Sequence, residues 1–409
     1  MGEERLVPKL RFSGFTKVWE STRIGEIAEV VGGGTPKTEV GEYWNGEIKW
    51  FTPSEIGKTK YIFDSERHIS DNGLKNSSAK LLPKYTILLS SRATVGEISI
   101  ALTECSTNQG FQSLITKNNV DNEFIYYLIS TIKNEFLRRS SGSTFLEISK
   151  NEIKRIPVTI PELSEQNKIS NLFSAIDNKI EMLEKKCQYY QVFKKYLMQR
   201  IFSSQDDKLR FNKNTSWEKY TLNDIGKTYN GLSGLSKDNF EKGNSKYITY
   251  KSIFDNNILE SNFTENVDLN DKSQNEVKKG DLFFTGSSET PEDVGMASVL
   301  NSTIKNCYLN SFCFGFRLNN NYIVSPLFLA YYLRSPIMRN KIMILAQGST
   351  RFNLSKKEIL KLEIEIPPIA EQQQVIELLQ NIDNKINKIS MQTYNFHEFK
   401  KGLLQQMFV

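Results

Sequence analysis

The chain repeats itself, and that repeat limits its possible folds more than any other feature. The segment GSTFLEISKNEIKRIPVTIP beginning at Gly142 returns as GSTRFNLSKKEILKLEIEIP at Gly348, an offset of 348 − 142 = 206, with 9 of 20 positions identical. At the same offset EQNKISNLFSAIDNKI from Glu165 matches EQQQVIELLQNIDNKI from Glu371 at 8 of 16, and FKKYLMQRIF from Phe193 matches FKKGLLQQMF from Phe399 at 6 of 10. Fainter echoes precede these: KLRF at Lys9 and Lys208, Trp19-Glu20 and Trp217-Glu218, Ile24-Gly25 and Ile225-Gly226, Tyr126-Tyr127-Leu128 and Tyr331-Tyr332-Leu333. Their offsets drift from 198 to 205. A period this long is not a solenoid. It describes a doubled unit, a variable block followed by a similar block of about 40 residues, and two copies of one fold in one chain imply pseudo-two-fold symmetry.

The similar block is helical. Apolar residues fall at Ile169, Phe173, Ile176, Ile180, Leu183, Cys187, Tyr190, Phe193, Leu197 and Ile201, alternating steps of four and three, and the stripe recurs 206 residues later through Leu379, Ile382, Ile386 and Ile389. Ile160-Pro161 with a Ser164 cap opens one copy and Ile366-Pro367-Pro368 the other. A helix of this length spans about 60 Å, more than a small core requires. The spacing therefore predicts a spacer, with the two stripes packed antiparallel as a coiled-coil seam through Phe173, Ile176, Ile180, Leu183, Leu379, Ile382, Ile386 and Ile389, and the globular blocks held apart at its ends.

The variable blocks mix short strand-like runs (IKWFT at Ile48, YTILLSS at Tyr85, YITY at Tyr247, DLFFTG at Asp281) with helical stretches such as EFIYYLISTIKNEFLRR from Glu123. The expected fold is α+β: two similar domains, 1–163 and 207–369, and two long antiparallel helices, 164–206 (with its linker) and 370–409.

No catalytic constellation assembles. GGGTPKT at Gly32 resembles a phosphate loop, but Pro36 occupies the position of the glycine that should precede the lysine. An E-x-K occurs at Glu47–Lys49 and at Glu152–Lys154, which composition explains as well as metal chemistry does. Cys105, Cys187, Cys307 and Cys313 form no C-x-x-C pair, and with only His68 and His397 beside them a zinc site is not expected. The thiols read as reduced, no stretch of eighteen apolar residues occurs, and MGEERLVPKLRF lacks a signal peptide's apolar run; the expected location is the cytoplasm. A formal charge of +6 permits a polyanionic partner without requiring one.

Two variable blocks, each followed by a matching helix that starts with I-P-x-x-x-E-Q and I-D, resemble the specificity subunit of type I restriction-modification systems over essentially the whole chain. IPELSEQ at Ile160 with AIDNKI at Ala175, and IPPIAEQ at Ile366 with NIDNKI at Asn381, carry the resemblance. GGGTP, YWNGEIKWFTPSEI from Tyr43 and NQGF in the first block add to it. The second block departs, with GLSGLSK from Gly231 in place of GGGTP and LNSFCF in place of NQGF. The resemblance implies a DNA-reading subunit that performs no chemistry. Each block would read one half of a bipartite duplex target, and the helices would set the spacer and bind two modification subunits. S-adenosylmethionine would belong to those subunits, since no D/N-P-P-aromatic or F-x-G-x-G signature occurs here, and a translocating nuclease subunit would join in systems that restrict.

Base edges are discriminated by amide, hydroxyl and guanidinium side chains on loops. The candidates are Lys37, Thr38, Thr52, Ser54, Ser91, Arg92, Asn108, Gln109 and Thr144 in the first block. In the second they are Lys251, Ser252, Thr285, Ser287, Asn310, Ser311, Thr350 and Arg351. Each residue type also serves turns and helix caps. Gly142-Ser143-Thr144 and Gly348-Ser349-Thr350 recur, so they either shape a turn or touch phosphate. Tyr126-Tyr127 and Tyr331-Tyr332 read as core aromatics. The competing reading is a coiled-coil scaffold that binds proteins and has no DNA specificity.

Overall fold

The computed structural model describes residues 6–142, 146–203, 209–211, 215–269, 273–319 and 323–409. The chain divides into two compact units, Met1–Leu183 with Met391–Val409, and Glu184–Ser390.

In the first unit, a five-stranded sheet runs in the order Ala28–Gly32, Gln112–Thr116, Ile87–Leu89, Ile98–Ala101, Tyr61–Ile62, antiparallel except for its last pair. Ile87–Leu89 and Ile98–Ala101 are buried at every position; all are apolar except Ser99, whose hydroxyl donates to Thr59 O at 2.7 Å. A three-stranded sheet sets Trp44–Phe51 between Arg67–Ile69 and Cys105–Thr107, and Glu20–Arg23 pairs with Pro157–Ile160. The helical stretch from Glu123 is two helices, Asn122–Thr131, capped by Asp121, and Lys133–Arg138. The break lies at Ile132, where ψ turns to 20°.

The second unit repeats this topology strand for strand. Its large sheet runs Gly226–Asn230, Cys313–Leu318, Leu282–Thr285, Ala297–Leu300, Ile258–Leu259, and its small one sets Phe240–Ile248 between Thr264–Val267 and Cys307–Leu309. It adds a three-stranded patch of Ser287–Ser288, Phe352–Leu354 and Ala346–Gln347.

Two helices of 39 residues, Leu163–Ile201 and Ile369–Met407, each give one part to each unit. In the second unit they run antiparallel: Cys187 Sγ lies 3.5 Å from Ser390 Oγ, and Lys194 Nζ lies 2.6 Å from Asp383 Oδ1. In the first unit Lys400 Nζ pairs with Asp177 Oδ1 at 2.6 Å. The helix start is one residue earlier than expected. Glu162 O accepts the first amides, and Ser164 lies in the first turn with its hydroxyl donating to Glu162 Oε1 at 2.8 Å.

The stripe is buried as expected, but against more than its twin. Phe173, Ile176 and Ile180 share one core with Trp19, Phe124 and Tyr127 of the globular part, with Leu403 and Met407 of the second helix and with Phe408 just after it. Leu379 and Ile382, with Ile386 half-buried beside them, share the other core with Leu197, Ile201, Phe328 and Tyr331. Leu183 and Ile389 are buried too. A helix too long for a small core is thus shared between two of them.

The repeated letters meet in space. Tyr127 Oη donates to Asp177 Oδ2 at 2.7 Å while Lys400 holds the other carboxylate oxygen; Tyr331 Oη donates to Asp383 Oδ2 at 2.8 Å while Lys194 does the same. The tyrosine pair, the I-D step and the F-K-K step are therefore three parts of one Tyr–Asp–Lys bridge, made once per unit. The E-Q step has an equally local cause. Gln166 Nε2 donates to Pro161 O at 2.8 Å and its Oε1 accepts from Asp121 N–H at 3.0 Å; Gln372 does this with Pro367 O at 2.8 Å and Ser325 N–H at 2.7 Å. Each glutamine, almost wholly buried, fixes the helix start to the cap of a helix in the sheet domain. Glu165 accepts both arms of the Arg11 guanidinium at 2.7 Å.

Candidate nucleic-acid interface

Five segments at strand ends and loops are tied together in each unit, and the backbone bonds that gather them are the same in both. In the first unit Gly34 N–H donates to Thr107 O (2.8 Å), Asn108 N–H to Phe51 O (3.0 Å), Ser91 N–H to Gly110 O (2.8 Å) and Ile148 N–H to Ser91 O (3.0 Å). In the second, Leu232 N–H donates to Leu309 O (2.7 Å), Asn310 N–H to Ile248 O (3.0 Å), Gly286 N–H to Phe312 O (2.8 Å) and Leu354 N–H to Gly286 O (2.9 Å). A side-chain bond is shared as well: Asn108 Oδ1 accepts Gly110 N–H at 2.8 Å and Asn310 Oδ1 accepts Phe312 N–H at 2.9 Å, closing the same Asx turn.

This frame explains the glycine that survives the divergence of GGGTP from GLSGLSK. A Cβ on Gly33 would stand 2.0 Å from Asn108 O, and one on Gly231 2.1 Å from Asn310 O, so neither loop could close with a larger residue. Gly142 and Gly348 have φ of 127° and 128°, a conformation that favours glycine, so the shared G of GST is explained by the backbone.

The expected contact residues divide by this geometry. Ser91 and Thr285 are fully buried, and Ser287 is 8% exposed. Thr285 Oγ1 accepts Met296 N–H at 2.9 Å, and Ser287 pairs in register with Asn353. These three hold the loops and offer almost nothing to solvent, which corrects their expected place at the surface. Thr52 caps the turn Pro53–Glu55 with Glu55 closing the capping box, and Ser54 Oγ lies 3.0 Å from Thr52 Oγ1. Thr249 caps Tyr250–Asp255 in the corresponding place, accepting Ser252 N–H at 3.0 Å. Thr52, Asn108, Ser252 and Asn310 are half-buried and engaged locally.

Lys37, Thr38, Ser54, Arg92 and Gln109 are exposed in the first unit, and Lys251, Ser311, Thr350 and Arg351 in the second. Arg92 is held by Glu147 at 2.6 Å, and Gln109 Oε1 accepts the Thr35 hydroxyl. Arg351 lies over the Phe312 ring, 5.6 Å from its centroid. Thr144 falls outside the described residues.

Sequence reasoning missed two arginines of the second unit that gather backbone segments next in sequence to the frame. Arg334 donates to the carbonyls of Ile253, Phe254 and Asn256 at the C-terminal end of Tyr250–Asp255 and to Ala297 O in the large sheet. Arg339 donates to Gly295 O at 2.7 Å, Glu292 O at 2.8 Å and Val294 O, gathering the 292–295 loop. Burial brings each guanidinium down to about 10, with the neighbouring Arg339 charge a further cause at Arg334. Arg334 also donates to Ser298 Oγ at 3.3 Å, and no spacing pattern betrays side chains whose partners are otherwise backbone carbonyls. Both arginines also line a cavity of about 1040 Å³, which the Tyr331–Asp383–Lys194 bridge borders as well. A smaller cleft of about 390 Å³ lies among the converging loops themselves, between Gly231, Ser287, Ser311, Phe312 and Asn353.

Among the described residues no group of three His, Cys, Asp or Glu could hold a metal ion, and no helix is long and apolar enough to cross a membrane. The loops carry exposed hydroxyl, amide and cationic groups, the side-chain types that contact base edges and phosphates in general.

A family described as the type I restriction modification DNA specificity domain matches residues 16–188 and again 214–395. The chain is 29% identical over 413 residues to the type I restriction enzyme MjaIX specificity subunit of Methanocaldococcus jannaschii, covering 96% of this chain and 93% of that one. It is 26% identical over 186 residues to the EcoR124I/EcoR124II specificity subunit of Escherichia coli, covering 41% and 46%. Its fold is similar to the crystal structure of a type I restriction-modification S subunit from M. genitalium, with a TM-score of 0.60 at 16% identity, covering 98% of this chain and 99% of the other.

Proposed function

Since the chain belongs to the type I restriction modification DNA specificity family, we propose that it reads a bipartite duplex sequence, one half through the loop end of each unit, on behalf of partner subunits that carry out the chemistry. One observation carries this reading. Two units with little identity in their variable blocks build the same loop frame from the same four backbone bonds, while the exposed side chains mounted on it differ. A constant frame with variable contacts is what two readers of different sequences require.

The division of labour within each end follows from its residues. Lys37, Lys251 and Arg351 engage phosphates, which positions the protein without specifying sequence. Ser54, Gln109 and Ser311 discriminate bases, while Thr350, whose triplet recurs in both units, touches phosphate or shapes the turn. The chain performs no catalysis. S-adenosylmethionine is bound by modification subunits, two of which assemble on this chain, with translocating nuclease subunits added in systems that restrict; the complex works in the cytoplasm. The long helices set the spacer between the half-sites.

The test is equilibrium binding of the assembled complex to duplex DNA at several salt concentrations. Phosphate contacts release counterions, so affinity should fall linearly with salt on a log-log scale, and one split sequence should be preferred at every concentration. Binding with neither salt dependence nor sequence preference would overturn the reading in favour of a protein-binding scaffold.

A further inference from the structure

One side chain in the second loop frame differs in kind from its neighbours. Phe312 sits at the tip of the Asn310 turn with 58% of its surface exposed, among loops that are otherwise polar. Its ring belongs to none of the buried apolar clusters of the described residues. The backbone at this position has a fixed duty, since Phe312 O accepts Gly286 N–H and Phe312 N–H closes the Asx turn. Gly110 performs both tasks in the first unit, so the frame does not need an aromatic ring here. The ring is an addition to a complete frame, and an exposed phenyl group loses free energy in water unless something covers it.

Arg351 indicates what covers it. Its guanidinium lies over the Phe312 ring and forms no ion pair with a described carboxylate, whereas Arg92 in the first unit is bound to Glu147. A cation stacked on the ring keeps its N–H edges free for an anion, and the 390 Å³ cleft opens beside the same ring. An apolar group and a cation side by side match a nucleotide, which presents a base edge next to a phosphate. Of the groups on base edges in the major groove, the 5-methyl of thymine is the apolar one; the others donate or accept hydrogen bonds that a phenyl ring would leave unmet.

We infer that Phe312 determines specificity in the second unit by packing on the 5-methyl group of a thymine in its half-site, with Arg351 on the adjoining phosphate. This rests on the DNA-reading role proposed above. Replacing that thymine by uracil removes the methyl group and nothing else, so it isolates the contact.

The experiment uses the full chain assembled with its modification subunits and its methylated sequence, located beforehand by mapping modified adenines. Each thymine of the second half-site is replaced by uracil in turn, and affinity is compared with the unmodified duplex. One position should weaken binding about fourfold, the effect of one buried methyl. Phe312→Gly, which copies the residue of the first unit, should bind thymine and uracil duplexes alike while keeping its discrimination in the first half-site. A half-site without thymine, equal binding of every uracil duplex by the wild type, or an unchanged thymine preference in Phe312→Gly would overturn the inference. Base-pair exchanges in the same half-site separate the two layers. If these too leave wild-type binding unchanged, the DNA-reading role fails; if they weaken it while uracil does not, only the role of Phe312 fails.

Discussion

Asp177 is the strongest place to test why particular letters recur at an offset of 206. Its carboxylate takes the Tyr127 hydroxyl at 2.7 Å and the Lys400 ammonium at 2.6 Å, so one side chain joins the sheet domain, the first helix and the second. Asp177 and Lys400 are 23% and 24% exposed, between a surface pair and a buried one. A wholly exposed pair would contribute about 0.2–1 kcal/mol. Hydrogen bonds to charged groups contribute about 1.5–3 kcal/mol each when shielded. One quarter exposure places the coupling between Asp177 and Lys400 at about 1–2 kcal/mol after solvent screening. The double-mutant cycle of Asp177→Asn and Lys400→Met measures it directly. Because two units need not unfold together, the readout should be hydrogen exchange of amides in 163–183 rather than a whole-chain transition. A coupling under about 0.5 kcal/mol would mean that the recurring I-D and F-K-K letters are not explained by this bridge.

Two further outcomes follow from the buried groups. Arg334→Ala should destabilise the second unit by about 3 kcal/mol, because several carbonyls lose a charged donor, and Arg334→Lys should recover only part of this, since an ammonium cannot span the same fork; urea titration followed by exchange in 250–256 checks both. Burial raises the Tyr332 hydroxyl to about 12, with the amide of Glu365 opposing this and its charge adding to it. A raised value means that its contribution is complete below pH 10 and declines as pH rises from 10 toward 12, by up to roughly 2 kcal/mol. Tyr332→Phe should therefore flatten the stability curve across that window, and an equally steep curve would refute the assignment.

The long helices and the doubling of the α+β unit were legible because an apolar stripe and a repeat are both periodic, and periodicity survives in a bare string of letters. What the stripe packs against was not legible: Phe173 meets Tyr127 at 5.0 Å between ring centroids, a contact across 46 residues that no spacing rule foretells. The loop ends were legible as places but not as side chains. Ser91 and Thr285 have the composition of contact residues and the burial of structural ones, because a serine or threonine serves a hydrogen-bonded turn as readily as a base edge. Phe312 left a signal that hydroxyl-and-amide reasoning passed over, an aromatic residue in LNSFCF at the position of the glycine in NQGF. Arg334 and Arg339 left none, since their partners are mostly backbone carbonyls, which carry no identity in sequence.

The central claim, that each unit independently reads one half of the target, is tested most directly by exchanging residues 1–163 for the corresponding block of another family member and mapping methylated adenines in cells that carry the hybrid with its modification subunits. The first half of the recognised sequence should change while the second half stays as it was. A change in both halves, or in neither, would contradict it.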